Sequence, residues 1–261
     1  MSERLGRALV TGASVGIGRD LAIVLAEHGH DLVITARKLP QLEAFAQELR
    51  SKFNVKVDVL AEDLARREAP QEIFDAMQRH DIGIDMLINN AGFGGHGRFD
   101  QENVDEILDM LKVNVVALTH LTRLFLPAMV QRKHGRVMNV ASTAAFQPGP
   151  LMAVYYASKV YVLSFSEAIW SELKRTGVTV TALCPGPTRT EFQKRAGIEN
   201  SRLFQGATMD SMTVARAGYH GMMRGKRIVI PGVGNRLMAG AAKLAPKSLV
   251  MSAVKKLNQS R

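Results

Sequence analysis

Cysteine, tryptophan and, toward the C-terminus, acidic residues are what this chain has least of. Cys184 is the only cysteine among 261 residues, so no disulfide framework holds the fold. It ends the apolar run Val178 to Leu183, where a small buried side chain is a simpler reading than a reactive thiol. A membrane-spanning run is not apparent either. The long uncharged stretch from Val137 to Ser158 contains Asn139, Gln147, Pro148, Gly149 and Pro150, which a span does not tolerate together. The first residues carry Glu3, Arg4 and Arg7 with no apolar segment behind them, so an ordinary secretory signal is not expected and a cytoplasmic location is. The seven histidines stand at no ligand-like spacing, and no metal is expected in the chemistry.

The missing acids make the net charge uneven. Residues 211–261 hold ten Lys and Arg and no Asp or Glu, whereas residues 1–210 hold 24 of each sign. The whole excess of +10 is therefore C-terminal. Solvated helix faces account for it most simply, and acidic lipid, a phosphorylated substrate or an acidic partner are the other candidates. Nucleic acid is not expected, because the tail lacks interleaved aromatic residues. Between Asn235 and Arg261, Leu249 or Val250, Ala253 or Val254 and Leu257 share a helical face, with Lys247, Lys255 and Lys256 elsewhere. A peripheral membrane contact through this basic tail ranks behind a subunit contact or a cover over a cleft.

What is present describes one α/β domain. Apolar content of 46% in a chain of this length suffices for one substantial core. Strands are expected at Arg7 to Val10, Asp31 to Ala36, Val55 to Leu60, Met86 to Ile88, Arg136 to Ala141, Val178 to Leu183 and Arg227 to Ile230. Helical periods fall at Gly16 to His28, Leu39 to Lys52, Arg67 to Arg79, Gln101 to Arg132, Val154 to Thr176 and Thr213 to Arg224. The strands are apolar on both faces, the pattern of a parallel sheet covered on two sides. The alternation predicts a Rossmann-type doubly wound sheet of about seven parallel strands, with ligands at the C-terminal edge.

Between the first strand and the first helix lies TGASVGIG, Thr11 to Gly18. Gly12 permits a tight turn, Gly16 lets backbone approach a pyrophosphate, and Gly18 allows close helix packing. Asn89-Asn90-Ala91-Gly92 closes the fourth strand at the same edge. At the end of the second strand, where an acid would accept from a ribose 2′-hydroxyl, stands Ala36, followed by Arg37 and Lys38. Two cations suit a 2′-phosphate, so NADP(H) is expected to be preferred over NAD(H). Asp63 and Leu64, after the third strand, are placed to meet the adenine or to cap the next helix.

Tyr155 and Lys159 are one helical turn apart and share a face, while Tyr156 points about 100° away. A phenol with a pKa near ~10 needs help to act at neutral pH, and a nearby ammonium or an oxidised nicotinamide would favour the phenolate. Ser142, after the fifth strand, is placed to hydrogen-bond a substrate oxygen.

Together TGASVGIG, NNAG, Asn114, Ser142, Tyr155-x-x-x-Lys159 and PGPTRT at Pro185 to Thr190 resemble the short-chain dehydrogenase/reductase family, in order, over residues 5–232. The resemblance implies oxidoreduction at CH–OH with NAD(P). In it Tyr155 transfers the proton, and Lys159 binds the nicotinamide ribose and lowers the tyrosine pKa. Ser142 positions substrate, and Asn114 holds a water that relays protons. It also implies cofactor contacts from Gly12, Ser14, Gly16, Ile17, Gly18, Asn90, Ala91, Gly92, Pro185, Gly186 and Thr188. Val15 departs from the pattern, standing where some NADP-preferring members carry a basic residue.

By the same resemblance residues 1–234 form the catalytic domain, with a substrate lid at about 188–225 in which Met209, Met212, Met222 and Met223 are apolar. Residues 235–261 form a helical extension. Phe93, Phe146 and Met152 are expected beside the site. The motif surroundings are most similar to a branch that includes bacterial oxidoreductases of uncertain substrate, keto-steroid reductases and long-chain 3-oxoacyl reductases. A carbonyl or alcohol substrate is therefore expected, with a homodimer or homotetramer built through the long helices. A sensing or assembly protein that binds the cofactor, and another reduction or an epimerisation on the same scaffold, are the alternatives.

Overall fold

The computed structural model describes residues 6–198, 201 and 208–259. Parts of the expected lid, 199–200 and 202–207, and the last two residues of the tail lie outside the described residues. The chain alternates β1 (Arg7–Thr11), α1 (Gly16–Glu27), β2 (Asp31–Ala36), α2 (Leu39–Phe53), β3 (Val57–Ala61), α3 (Ala69–Arg79) and β4 (Met86–Asn89). It continues through α4 (Val104–Leu111), α5 (Leu118–Gln131), β5 (Gly135–Val140), α6 (Ala153–Glu172) and β6 (Val178–Leu183). Two short strands, β7 (Thr188–Arg189) and β8 (Met209–Asp210), flank α7 (Phe192–Arg195). The chain then runs through α8 (Ser211–Met223), β9 (Ile228–Val229), α9 (Val233–Leu244) and α10 (Lys247–Asn258).

Seven strands form one parallel sheet in the order β3-β2-β1-β4-β5-β6-β9. The order reverses between β1 and β4, so the loops after these strands diverge and leave a crevice at the C-terminal edge. Alternation along β1 shows why both faces are apolar. Ala8 and Val10 enter the core beneath α1, α2 and α8, while Leu9 enters the opposite core with Ile73, Leu121, Phe125 and Ile169. All of these side chains are buried.

The expected helix from Gln101 to Arg132 starts later, at Val104, and is not α-helical throughout. A 3₁₀ turn covers Phe99–Gln101, α4 begins at Val104, and Lys112–Ala117 form a π-helical segment before α5. Asn103 caps α4 by accepting from the amides of Asp105 and Glu106, which sets the later start. The extra residue of the π turn carries Asn114 inward, to 1% exposure. By length and composition the run Val104–Gln131 is apolar enough to cross a membrane. Here Val113, Ala117, Leu121, Phe125 and Met129 put that apolar character into the core against the sheet.

The boundary expected at residue 234 falls inside the first turn of α9, and the helical extension consists of two helices. Pro246 at the start of α10 separates them, since it cannot continue α9. The inner face of α10, Val250 and Val254, packs on Met152, Tyr156, Ala196 and Ile198. Leu249 is exposed on its other side. Of the roles expected for the tail, the cover over a cleft is the one its inner face takes.

Candidate active site

The crevice at the strand reversal opens into a cleft of about 750 Å³. Its floor at one end is the glycine turn. Gly16 has φ +58, and a Cβ there would meet the Thr190 side chain at 3.0 Å. A Cβ on Gly18 would fall 2.2 Å from Asn90 Nδ2 and 2.3 Å from the Gly12 carbonyl oxygen, so only glycine lets α1 approach β4 this closely. Asn90 uses its side chain on the turn, donating to the carbonyls of Thr11 at 2.9 Å and Gly12 at 3.2 Å. Thr11 Oγ1 in turn accepts from the amides of Asn90 and Ala91. These bonds brace the turn against NNAG. Val15 starts α1 without a side-chain cap, leaving first-turn amides available to an anion.

Ser14, Ile17, Ala36, Arg37, Lys38, Asp63, Leu64, Ala91 and Gly92 also line this cleft. Arg37 and Lys38 are exposed into it at the end of β2. Asp63 accepts from the amide of Ala65 at 3.0 Å, so it caps its own turn while facing the cleft. A glycine cradle, uncapped helix amides and paired cations fit a dinucleotide phosphate, and the fit is closest at the end bearing Arg37 and Lys38. Pro185, Gly186 and Thr188 line the other end. The Pro185 carbonyl accepts from the amide of Thr143, and Thr188 Oγ1 donates to the Gly186 carbonyl at 2.9 Å.

There the candidate catalytic groups converge. Ser142 and Tyr155 both line the cleft; Ser142 Oγ accepts from the amide of Ala144 at 3.1 Å and donates to the Pro185 carbonyl at 3.5 Å. Burial raises the Tyr155 pKa; Ser142 lowers it and the neighbouring Tyr156 raises it further. Lys159 is 5% exposed, and its Nζ donates to the Val140 carbonyl at 2.8 Å. The ammonium lies 5.8 Å from the centre of the Tyr155 ring. Burial is the largest influence on Tyr155, and the Lys159 ammonium is tied to backbone. Burial also lowers the Lys159 pKa from 10.5 to about 8, with a smaller opposing effect from Cys184. The Cys184 thiol is buried and pushed up to about 12 by that burial, as a packing residue would be.

Asn114 accepts from the Phe93 amide at 3.0 Å and donates to the Phe93 carbonyl at 2.9 Å and to Ser158 Oγ at 3.1 Å. Its side chain holds the loop after NNAG, and any water of a relay falls to its backbone. A Cβ on Gly92 would touch Asn114 Oδ1 at 3.0 Å and Lys159 Nζ at 3.4 Å, so a glycine there lets both side chains come close to the NNAG loop.

The buried Lys159 has a stability consequence with a definite sign. Between pH 8 and 10.5 the unfolded chain binds a proton that the folded chain does not, so stability rises with pH across that window. Below it the folded state carries a cost on the order of 3 kcal/mol. Lys159→Met is therefore expected to raise the thermal midpoint at pH 7 by several degrees. That gain should shrink toward pH 10, while turnover is lost. Melting curves at the two pH values check this, and a lower midpoint at both would refute it.

Around the tyrosine the walls are apolar. Phe93 and Met152 line the cleft as expected, joined by Tyr156, Phe192, Met238 and Leu257. Phe146 does not. It packs beside Val162, Leu163 and Cys184, with Lys243 Nζ 5.0 Å above its ring, and faces a separate shallow depression. Met209, Met212, Met222 and Met223 also miss the cleft, packing into the core beneath α8. The residues that replace them come from the tail and from α7.

Asn258 locks the tail in place. Its Nδ2 donates to the Pro150 carbonyl at 2.9 Å, its Oδ1 accepts from Tyr156 Oη at 3.4 Å, and its carbonyl accepts from His96 Nε2 at 2.8 Å. No local pattern in the sequence marks it. Asn258→Ala is expected to raise KM for an apolar substrate about fivefold, from the loss of hydrogen bonds worth roughly 1 kcal/mol, and to leave cofactor affinity unchanged. Steady-state kinetics beside a cofactor titration separate the two.

Residues 7–200 match the family model described as short chain dehydrogenase. Hydroxysteroid dehydrogenase-like protein 1 of Gallus gallus is 32% identical over 206 residues, 77% of this chain and 62% of that protein. The very-long-chain 3-oxoacyl-CoA reductase of Homo sapiens is 31% identical over 191 residues, 72% of this chain and 61% of that protein. Each relative is thus matched over less than two thirds of its own length. Among solved structures, a short-chain dehydrogenase from Sphingobium yanoikuyae in complex with NADPH superposes with a TM-score of 0.84 at 34% identity, over 94% of this chain and 95% of that one. The bulky-bulky ketone specific alcohol dehydrogenase from Comamonas testosteroni gives 0.79 at 31% identity, over 93% and 94%.

Proposed function

Because this chain belongs to the short-chain dehydrogenase/reductase family, we propose that it is an NADP(H)-dependent oxidoreductase interconverting an apolar ketone or aldehyde and its alcohol. The observation that carries this reading is that Ser142, Tyr155 and, one turn along, Lys159 line the same cleft as the phosphate cradle. Bound there, the nicotinamide dinucleotide supplies a hydride to the carbonyl carbon or takes it back from the alcohol. Ser142 Oγ and Tyr155 Oη converge where the substrate oxygen would lie, one positioning it and the other exchanging its proton. A phenol whose pKa is raised by burial is protonated at neutral pH, ready to give that proton up as negative charge develops on the oxygen.

Preference for NADP(H) rests on Arg37 and Lys38 and on Ala36, which leaves no carboxylate at the end of β2. Apolar substrate is supported by Phe93, Met152, Tyr156, Phe192, Met238 and Leu257 around the tyrosine. Similarity to proteins named for bulky ketones and hydroxysteroids points the same way. Self-association completes the reading. Exposed Val104, Leu108 and Val116 face outward beside Val160 and Tyr161 of α6, an apolar surface suited to a second copy of the chain. With one buried cysteine, a reducing cytoplasmic setting suits it.

Oxidation of NADPH against carbonyls graded from small aldehydes through cyclic and steroidal ketones to long-chain 3-oxoacyl compounds tests the function. Turnover should rise with apolar bulk. Activity confined to small aldehydes would defeat the substrate assignment, and tight NADPH binding without turnover of any carbonyl would defeat the enzymatic one.

A further inference from the structure

We propose that Arg195, carried over the cleft by α7, binds a phosphate of the dinucleotide as a third cation beside Arg37 and Lys38. This rests on reading the cleft as a nicotinamide dinucleotide site. It adds a residue from the substrate lid, some 160 positions away in sequence from the other two.

The placement of α7 is the first ground. Thr190 abuts the position where a Gly16 side chain would be, the Phe192 ring lies 5.2 Å from that of Tyr155, and Arg195 stacks 3.8 Å above the ring of Phe93. This short segment thus reaches from the glycine turn across the tyrosine to the NNAG loop. Gln193 sets its orientation, accepting from the Thr190 amide at 3.0 Å and donating to the Thr188 carbonyl at 2.9 Å. Thr190 Oγ1 accepts from the Phe192 amide at 3.2 Å.

The second ground is charge. Among the described residues Arg195 has no carboxylate within ion-pairing distance, although seven other arginines do. It lies instead within electrostatic range of Arg37, whose charge, after desolvation, lowers its basicity; Asp63 and Glu106 offset this only in part. Two guanidiniums brought toward each other across a cleft are unfavourable until an anion lies between them. The Arg195 guanidinium lies over the Phe93 ring, and arginine held on an aromatic face can still offer two N–H groups to phosphate oxygens. Val15, the exposed residue flanking the glycine turn, supplies no cation, so positive charge facing a bound phosphate comes from Arg37, Lys38, Lys194 and Arg195.

A dinucleotide offers two such phosphates, the ribose 2′-phosphate and the pyrophosphate, and proximity to Arg37 favours the first. Fluorescence titration of the full-length protein with NADPH and with NADH, for wild type, Arg195→Gln and Arg195→Lys, tests this without relying on turnover. The expected result is an NADPH dissociation constant about tenfold higher in Arg195→Gln, partial recovery in Arg195→Lys, and an unchanged NADH constant. Equal weakening of both cofactors would place Arg195 on the pyrophosphate and still support a phosphate contact. Unchanged binding of both, in variants whose thermal midpoints match wild type, would overturn the proposal. A wild type that binds NADH as tightly as NADPH would instead refute the cofactor preference, with the Arg195 effect on NADH still deciding the phosphate contact.

Discussion

Tyr155→Phe is expected to lower turnover by about 10² to 10⁴ or more, the range that a positioned acid or base contributes, while leaving the NADPH dissociation constant within about twofold. The substitution removes one oxygen and keeps the ring. Its contacts with Phe192 and Tyr156, at centroid distances of 5.2 and 6.0 Å, can persist. What goes is the proton that must reach the substrate oxygen. Because burial already disfavours the phenolate, no other group in the cleft takes over easily: Lys159 Nζ is bonded to Val140 and set behind the ring. A Phe variant with full turnover would mean that the cleft does different chemistry. A wild type that binds NADPH, turns nothing over and keeps a biological role in the Phe variant would favour a sensing or assembly protein.

Removing both cations at the end of β2, Arg37→Ala with Lys38→Ala, is expected to weaken NADPH binding by about 10²-fold and NADH binding by less than threefold. Each charge-assisted hydrogen bond to a phosphate is worth about 1.5 to 3 kcal/mol, and two of them at an exposed site, discounted for solvent screening, give roughly that factor. The loss should shrink as salt is raised, since both side chains stand in solvent. Isothermal titration at two ionic strengths checks the pair of expectations. Equal losses for the two cofactors would assign the cations to the pyrophosphate and remove the basis for a preference.

Several features were legible in the residues because the signal is local. β1 and β2 were readable from short apolar runs, and the glycine turn from its place between strand and helix. Tyr155 and Lys159 were readable because a helix fixes the relation of positions four apart. Arg37 and Lys38 were readable because their position follows from the end of a single strand. Other features had no such signal. The π turn that carries Asn114 inward does not disturb the apolar period of Gln101 to Arg132 enough to announce itself. Phe146 is only four residues from Ser142, yet the 3₁₀ turn Thr143–Phe146 rotates it away from the cleft. The lid methionines are apolar in the sequence, and only the fold places them in the core beneath α8.

The residues alone thus determined the class of fold and the places of the glycine turn, of Arg37 and Lys38 and of the Tyr155–Lys159 pair, since backbone propensity, side-chain period and charge at a strand end are properties of neighbours in the chain. Tertiary structure decided what closes the cleft. Asn258 meets Tyr156 across 102 positions, Met238 and Leu257 arrive from the tail, and Arg195 reaches Phe93 over the tyrosine. Those meetings depend on how complete helices pack on the sheet, and packing is settled by the shape and burial of the whole core rather than by any segment that contributes to it.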